Sequence, residues 1–274
     1  SREVLEGIEA ITSVLPIFEE LDLREKQSVQ QFFNKHSDVS AVIHFAASKA
    51  VGESVEDPLL YYENNISTLI YVLQELQKKP AAQFIFSSSC TVYGQAEKMP
   101  ITENASIQTA MSPYGNTKQI GEEIITDVAR VSNITAILLR YFNPIGAHPT
   151  AHIGELPMGV PQNLVPFITQ TGIGMRQELS VYGDDYPTSD GTCVRDYIHV
   201  VDLAKAHVAA MKRLLQNKNK EKVETFNVGT GTGSTVLEVI KTFEKVSGKK
   251  LPYKIVDRRE GDVTSAYANT AKAN

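Results

Sequence analysis

The chain has 274 residues, of which 42% are hydrophobic and 22% are charged, and its formal net charge is −5. This composition is typical of a globular protein, and the acidic balance with scattered Lys and Arg residues argues against a nucleic-acid partner. No apolar run reaches the ~20 residues that cross a bilayer, so we expect a cytoplasmic protein that contacts no membrane. Cys90 and Cys193 are far apart and the histidines are dispersed, which predicts reduced thiols and no metal site.

Strand and helix patterns alternate along the first half of the chain. After an amphipathic opening, PIFEELDL alternates apolar and acidic residues as a half-buried strand would, and REKQSVQQFFNKHS has helical spacing. AVIHFAA, QFIFSSS and TAILLRYF are short apolar runs typical of buried parallel strands. Helices are predicted from about 57 to 78 and from about Pro113 onward. The alternation predicts a Rossmann-like, doubly wound parallel α/β sheet.

The second half of the chain begins with a change in composition. Residues 143–196 are rich in Pro, Gly and polar side chains, with a helix predicted over 163–172 and a short strand at LSVYG. RDYIHVVDLAKAHVAAMKRLL then predicts a strand and a helix, and ETFNVG, a helix over 235–247 and LPYKIV continue the α/β pattern. We therefore divide the chain into a first domain, 1–145 with 197–217, and a smaller region, 146–196 with 218–274.

Polar residues follow the predicted strands. Asp22 follows PIFEEL, and the segments FAASK, SSSC and YFNPIGAH follow the next three strands. Ligands of such sheets bind at the carboxyl ends of the strands, so these segments are candidates for one crevice. A serine run by itself more often satisfies its own backbone. The helix that follows, however, carries Tyr114 and Lys118 one turn apart on one face.

The Tyr114 and Lys118 pair fits a specific chemistry, although its spacing alone occurs by chance about once in such a chain. A phenol titrates near 10, and an adjacent ammonium group together with a cationic nicotinamide ring would lower its pKa. With a serine of the 87–89 run bonded to the substrate hydroxyl, the three side chains could remove a proton from an alcohol while its carbon gives up a hydride. Such an oxidation needs a nicotinamide cofactor.

Five motifs support this interpretation: SSSCTVYG, SPYGNTK, LRYFNPIGAHP, DGTCVRDYIHVVDLA and RREGD. Their order and spacing resemble the UDP-glucose 4-epimerase family of the extended short-chain dehydrogenase/reductase superfamily, over nearly the whole chain. The resemblance implies NAD-dependent interconversion of UDP-glucose and UDP-galactose through a 4-keto sugar. It also implies a homodimer formed through the helices at about 57–78 and 113–130.

The resemblance assigns site residues as well. The catalytic group would be Ser89, Tyr114 and Lys118, with Tyr114 as the base. These three would also contact NAD, together with Asp22, Leu23, Phe45, Ala46, Lys49, Asn64 and Phe142. The UDP-sugar would contact Ser89, Tyr114, Lys49, Asn143, Asn163, Arg195, Arg259, Asp262 and Ala266. The first domain would then bind NAD and the second region the UDP-sugar.

One feature of the family is not found where the resemblance places it. The Gly-rich turn that cradles the pyrophosphate would precede Ser1, so we expect the first βα unit to be missing and both domains to be incomplete at their outer ends. Gly229 to Thr235 is the remaining Gly-rich candidate, but it lacks the required spacing. We expect it to be a turn in which Ser234 or Thr235 caps the next helix.

Two other functions stay open at this point. A nucleotide-sugar 4,6-dehydratase shares the oxidation step, but its Thr-Asp-Glu set corresponds here to Ser-Cys-Thr at 89–91. A non-catalytic nucleotide-sugar sensor on the same fold is the second alternative, against which the intact Ser89, Tyr114 and Lys118 argue. Within the epimerase family, a small residue such as Ala266 implies room for N-acetylated sugars; the alternative is that Ala266 only packs in the core and that the adjacent Tyr267 fills the space.

Overall fold

Helices and strands alternate over most of the chain, of which the computed structural model describes residues 2–155, 157, 159–259 and 261–273. The α-helices are α1 (Arg2–Thr12), α2 (Lys26–Lys35), α3 (Val51–Glu56), α4 (Pro58–Leu76), α5 (Pro113–Val131), α6 (Leu164–Gly172), α7 (Val200–Leu215) and α8 (Val236–Ser247). The strands are β1 (Ala41–His44), β2 (Ala82–Ser89), β3 (Ile134–Tyr141), β4 (Asn143–Ile145), β5 (Leu179–Tyr182), β6 (Val194–His199), β7 (Val223–Val228), β8 (Gly233–Thr235), β9 (Tyr253–Val256) and β10 (Ser265–Ala266). A 3₁₀ turn, Cys90–Tyr93, follows β2.

The larger sheet has the strand order β1-β2-β3-β7, and all its pairs are parallel. Helices connect these strands, so the predicted doubly wound α/β fold is confirmed. Strand β7 pairs with β3 along Val223–Val228. This part of 218–274 therefore lies in the sheet of the first domain, whereas the sequence pattern placed it in the smaller region.

The two faces of this sheet pack against different helices because side chains alternate along a strand. Phe84 and Phe86 of β2 lie in a core with residues of α2, α4 and α5. Ile85, between them, lies in a second core with residues of α7. The alternation continues past Phe86, so that the Ser87 and Ser88 side chains point to opposite faces.

A mixed sheet and a strand pair lie outside the larger sheet. Strands β10, β6 and β4 run side by side, and β8 pairs antiparallel with β6. Strands β5 and β9 form a separate parallel pair, covered by α6 and α8 through a buried apolar cluster. No helix in the described ranges is long and apolar enough to cross a membrane.

The strand predicted at PIFEELDL does not form, and this prediction is wrong. The segment has no regular secondary structure and ends in a turn at Leu23 and Arg24. Leu21 and Leu23 pack against the first core, but Ile17 is 90% exposed and Phe18 59%. Alternating residues therefore do not share one buried face, and no described strand pairs with the segment.

Candidate active site

The start of helix α5 sets the positions of Tyr114 and Lys118. Ser112 is the N-cap, and its Oγ accepts a hydrogen bond from Gly115 N at 3.1 Å. Pro113 occupies the first helical position, where its missing N–H costs nothing. Both signals fix where the helix begins, and Tyr114 and Lys118 lie buried one turn apart.

Lys118 is buried against the end of strand β2. Its Nζ donates to the Ser87 carbonyl oxygen at 2.8 Å and lies 4.8 Å from the centre of the Phe86 ring. The helix approaches the strand closely because Gly121 has no side chain, and a Cβ there would lie 2.9 Å from the Phe86 ring. Burial lowers the pKa of Lys118 to about 8, against the opposing effect of Glu122.

The shifted pKa of Lys118 predicts a pH dependence of stability. Between about pH 8 and 10.5, the unfolded lysine binds a proton that the native one has lost, so the free energy of unfolding rises with pH. Relative to Lys118→Met, the wild-type protein should gain on the order of 2 kcal/mol across this window. Urea unfolding of both proteins, without added ligand, measures the difference. Parallel pH dependences would contradict the prediction.

The phenol of Tyr114 has a different environment from the one that the sequence argument assumes. Burial raises its pKa well above the ordinary value of 10.0, and its hydrogen bond with Ser89 only partly opposes this rise. Lys118 Nζ lies 5.9 Å from the Tyr114 ring centre but donates to the Ser87 carbonyl. Burial therefore dominates the pKa of Tyr114, and the direction of the shift is opposite to the lowering that the sequence argument expects from Lys118 and a bound nicotinamide ring.

A buried ionic network supports the same strand end from the α5 side. Ser88 Oγ donates to Glu122 at 2.5 Å, and Arg140 of β3 binds the same carboxylate through Nε and Nη2 at 2.9 and 2.5 Å. The Arg140 guanidinium also lies 4.8 Å from the Tyr93 ring centre. Because charge and hydrogen bonds are satisfied together, the network holds β2, β3 and α5 in one arrangement.

A cavity of about 310 Å³ contains five of the predicted UDP-sugar contacts, namely Asn143, Asn163, Arg195, Arg259 and Asp262. The residues come from four separate parts of the chain. Asn143 and Arg195 lie on the adjacent strands β4 and β6, and Asn163 is the N-cap position of α6. The cavity also has aromatic walls, including Phe167 and Tyr182.

Asp262 joins the two arginines of this cavity. Its Oδ1 accepts from Arg195 Nη2 at 3.3 Å and from Arg259 Nη2 at 2.8 Å. Arg195 is held further by the carbonyls of Val194 and Val263, at 2.9 and 2.7 Å. The guanidinium groups are thus fixed in place by protein contacts, which suits them to bind a phosphate group.

A second cavity, of about 580 Å³, is lined by Asp22, Leu23, Ala46 and Asn64, which are four of the predicted NAD contacts. The Asp22 carboxylate accepts from Arg24 Nε and Nη2, at 3.0 and 2.6 Å, and this pairing lowers its pKa to about 2. Asn64 Nδ2 donates to Ser48 Oγ at 2.6 Å. The cavity therefore has an ionised carboxylate on one side and polar groups on the other.

Seven predicted contacts line neither cavity, namely Ser89, Tyr114 and Lys118 of the predicted catalytic group and Phe45, Lys49, Phe142 and Ala266. Phe45 is 57% exposed at the end of β1, and its ring packs on His207. Lys49 Nζ lies 3.7 Å from Glu155, which also accepts from Asn163 Nδ2 at 3.0 Å. Phe142 and Ala266 are buried in one apolar cluster around Val92, Tyr93 and Ile101. Their contact with a ligand stays a prediction.

The Gly-rich turn after β7 binds a carboxylate of the protein itself. Asp196 is fully buried and accepts from Thr230 N, Thr230 Oγ1, Gly231 N and Ala268 N, at 2.7 to 3.1 Å. Thr235 caps α8 in a capping box with Glu238. The prediction of a turn followed by a Thr235 cap is confirmed, and Asp196 occupies the donors that a phosphate would need.

Several residues of the two cavities were not singled out from the sequence. Tyr182, Ser180 and Glu178 lie at or beside β5, and Tyr197 lies on β6, all lining the smaller cavity. Tyr182 could have been found from the sequence, because it is an aromatic residue at the carboxyl end of the predicted LSVYG strand. Cys193 lines the same cavity. The other cysteine, Cys90, does not line it, and burial raises the pKa of its thiol to about 11. The described residues contain no group of His, Cys, Asp and Glu that could hold a metal ion.

Comparisons with known proteins agree on the family. The family model described as "NAD dependent epimerase/dehydratase family" matches residues 2–229. A mouse (Mus musculus) protein named UDP-glucose 4-epimerase is 49% identical over 273 residues, which is 99% of this chain and 78% of that protein. The protein of that name from Bacillus subtilis is 48% identical over 274 residues, 100% of this chain and 79% of that protein.

A solved structure has the same fold. It is the crystal structure of UDP-glucose 4-epimerase from Bifidobacterium longum in complex with NAD+ and UDP, which superposes with a TM-score of 0.93 at 45% identity. The superposition covers 100% of this chain and 80% of that one. The family match extends over the strand ends and the second cavity, and the sequence identity and the superposition extend over both cavities. The chain therefore belongs to the NAD dependent epimerase/dehydratase family, within which it is similar to the UDP-glucose 4-epimerases.

Proposed function

We propose that this protein interconverts UDP-glucose and UDP-galactose, with NAD as cofactor, by oxidation and re-reduction at C4 of the hexose. The observation that carries the proposal is the cavity with Asn143, Asn163, Arg195, Arg259 and Asp262, which combines paired guanidinium groups with aromatic walls. Curated relatives that align with nearly the whole chain are named for this activity.

The second cavity fits an NAD molecule in the chemistry of its lining. Asp22 presents an ionised carboxylate beside Arg24, which suits ribose hydroxyls, and Ala46 leaves the carboxyl end of β1 open. His44 Nε2 and Thr91 Oγ1 are buried without a hydrogen-bond partner in the described part of the chain, near Lys118 and Ser89 respectively. NAD supplies the acceptor that takes the hydride from C4 and returns it.

The Ser89, Tyr114 and Lys118 side chains perform the proton chemistry in this proposal. Tyr114 takes the proton of the 4-hydroxyl and gives it back after the sugar has turned, and Ser89 holds the oxygen through a hydrogen bond. A phenol with a raised pKa needs positive charge nearby before it can act as a base. Lys118 is the cation that the chain itself supplies, 5.9 Å from the phenol ring centre.

The UDP part anchors the substrate while the hexose rotates. Arg195 and Arg259 offer planar donor forks to the diphosphate, and Asn163 offers its amide at the start of α6. A keto sugar must present first one face and then the other to the same group. Contacts with the nucleotide should therefore supply most of the binding energy, because tight contacts with the sugar would hinder its rotation.

The structure also bears on the two alternatives. A 4,6-dehydratase needs a carboxylic acid for the elimination of water, but Cys90 occupies that position, and burial raises the pKa of its thiol to about 11. A non-catalytic sensor would have no need to bury Lys118 beside Tyr114 at a cost in stability. Both observations favour the epimerase.

The direct test incubates the protein with UDP-galactose and NAD and identifies the products by NMR. The proposal expects UDP-glucose, and no net consumption of NAD. A 4-keto-6-deoxy sugar would establish the dehydratase instead. Binding of UDP-galactose without any product would establish the sensor. The homodimer through α4 and α5 and the cytoplasmic location stay predictions.

We further propose that the enzyme accepts UDP-N-acetylglucosamine and UDP-N-acetylgalactosamine, because Ala266 is small. Ala266→Tyr should abolish this activity and spare UDP-galactose, since the larger ring would fill space that an N-acetyl group needs. Turnover of both substrate pairs by both proteins is the measurement. Ala266 is buried beside Phe142 and Val92, so thermal unfolding of the variant serves as the control for folding. Equal loss of both activities, or no N-acetyl activity in the wild type, would contradict this proposal.

A further inference from the structure

A hydrogen bond joins Ser87 of β2 to His207 of α7, on the face of the sheet opposite to α5. Ser87 Oγ lies 2.7 Å from His207 Nε2. The carbonyl oxygen of the same serine accepts from Lys118 Nζ on the α5 side, at 2.8 Å. The three residues are 1%, 2% and 4% exposed, so solvent does not compete for these contacts. Ser87 thus links a histidine on one face of the sheet to the predicted catalytic lysine on the other.

The direction of the Ser87–His207 bond follows from the second ring nitrogen. His207 Nδ1 lies 2.9 Å from the Leu203 carbonyl oxygen, which can only accept, so Nδ1 carries the hydrogen. Burial lowers the pKa of His207, which keeps the ring neutral and leaves Nε2 bare. The Ser87 hydroxyl therefore donates to Nε2, and the imidazole is held in one tautomer by its own helix.

Strand β2 stays paired with β3 as far as Ser89, but its pairing with β1 ends at Phe86. Gln83 N donates to Ser40 O on the β1 side, and backbone groups alternate along a strand, so the Ser87 carbonyl points to that side as well. The last residue of β1, His44, lies opposite Phe86. No residue of β1 therefore pairs with Ser87, and its carbonyl accepts from Lys118 instead.

We propose that His207 is a positioning residue, which fixes the Ser87 peptide so that its carbonyl oxygen holds the Lys118 ammonium beside Tyr114. The His207 ring also supports Phe45, whose ring centre lies 4.6 Å away at the open end of β1. The inference rests on the proposed function, because it gives Lys118 its role. It adds a residue of α7 to a site that the sequence assigns to β2 and α5.

The test combines four variants. His207→Leu removes the acceptor, Ser87→Ala removes the donor but keeps the carbonyl, and the double variant removes both. His207→Gln is the conservative replacement, since its amide oxygen can accept at about the reach of Nε2. Leu214→Ala, on the same helix and buried in the same core, is the control for a loss of packing alone.

With UDP-galactose and NAD, His207→Leu and Ser87→Ala should each lower kcat about tenfold with KM nearly unchanged, because the lysine is misplaced. The double variant should lose no more than either single variant. His207→Gln should recover most of the turnover, and Leu214→Ala should lose stability but keep kcat. Wild-type kcat in His207→Leu, losses that multiply in the double variant, or no recovery with Gln would each overturn the proposal.

A second readout does not depend on turnover. In protein labelled with ¹³C-lysine, the Cε resonance of Lys118, identified by its absence in Lys118→Met, reports the surroundings and titration of the ammonium group. His207→Leu should shift this resonance and lower its titration midpoint, since the ammonium loses a fixed acceptor, while Leu214→Ala should not. If the wild type converts no UDP-galactose, the proposed function fails, and this comparison alone decides the role of His207.

Discussion

Replacing Tyr114 by Phe should lower the turnover of UDP-galactose by ~100-fold or more, because the general base is lost while the ring is kept. The ring fills a buried site, so the variant should fold and bind UDP-galactose nearly as well as the wild type. Turnover with NAD present and the Kd of UDP-galactose are the two measurements. Near-normal turnover would remove Tyr114 from the mechanism.

Tyr62→Phe is a matched control for this variant. Tyr62 lies on α4, and its hydroxyl accepts a hydrogen bond from Asn116 Nδ2 of α5 at 2.7 Å. Removing this hydroxyl tests the loss of one tyrosine hydrogen bond near the same helix turn. Turnover in Tyr62→Phe should stay close to that of the wild type. A similar loss in both variants would point to a disturbed helix α5 rather than to a lost base.

Replacing Asp196 by Ala should lower the free energy of unfolding by about 3 kcal/mol or more. The carboxylate is fully buried and satisfies donors of Thr230, Gly231 and Ala268, which come from two separate segments. Without it, three backbone N–H groups lose their acceptor, one of them, that of Ala268, in the interior. Urea unfolding at pH 7 measures the change.

Two further variants serve as controls for Asp196→Ala, namely Asp196→Asn, which keeps the volume, and Asp202→Ala, which removes an exposed carboxylate. Asparagine keeps the volume but turns an amide NH₂ toward donors, so it should recover only part of the loss. Asp202 pairs with Lys205 at 3.0 Å on the exposed face of α7, and its removal should change stability by less than about 0.5 kcal/mol. Equal effects of Asp196→Ala and Asp202→Ala would contradict the assignment.

The elements that the sequence predicts well are those with local signals. Helix α5 begins at Pro113 because Ser112 caps it, and α8 begins after the Thr235 cap with Glu238 in its capping box. Strands β2 and β3 are continuous apolar runs, as expected for a sheet covered on both faces. In each case the residues that decide the structure are neighbours in the chain.

The features that the sequence does not predict depend on distant partners. PIFEELDL has the alternation of a strand, yet a strand also needs a neighbour for its backbone hydrogen bonds, and sequence alternation does not report one. Strand β7 joins the larger sheet through pairing with β3, which lies about 90 residues earlier. The Ser87–His207 bond spans 120 residues, and each residue alone is an ordinary buried polar group.

The candidate site also has features that the sequence predicts and features that depend on the folded structure. The structure brings five predicted UDP-sugar contacts to one cavity and four predicted NAD contacts to another. The ionisation state of Tyr114 did not follow from its spacing to Lys118, because burial depends on the whole packed structure. Motif spacing therefore predicts which groups form the site, while the fold decides their charge.

The bridging position of Asp262 has a consequence for the speed of ligand exchange. Two guanidinium groups and one carboxylate leave a net charge of about one positive unit, so part of the attraction for a diphosphate is already offset by the protein. The donor forks are nevertheless oriented before any ligand arrives, and little side-chain entropy is lost on binding. An anchor of this kind holds a nucleotide in a defined direction without a long residence time, which suits an enzyme whose substrate and product differ at one carbon.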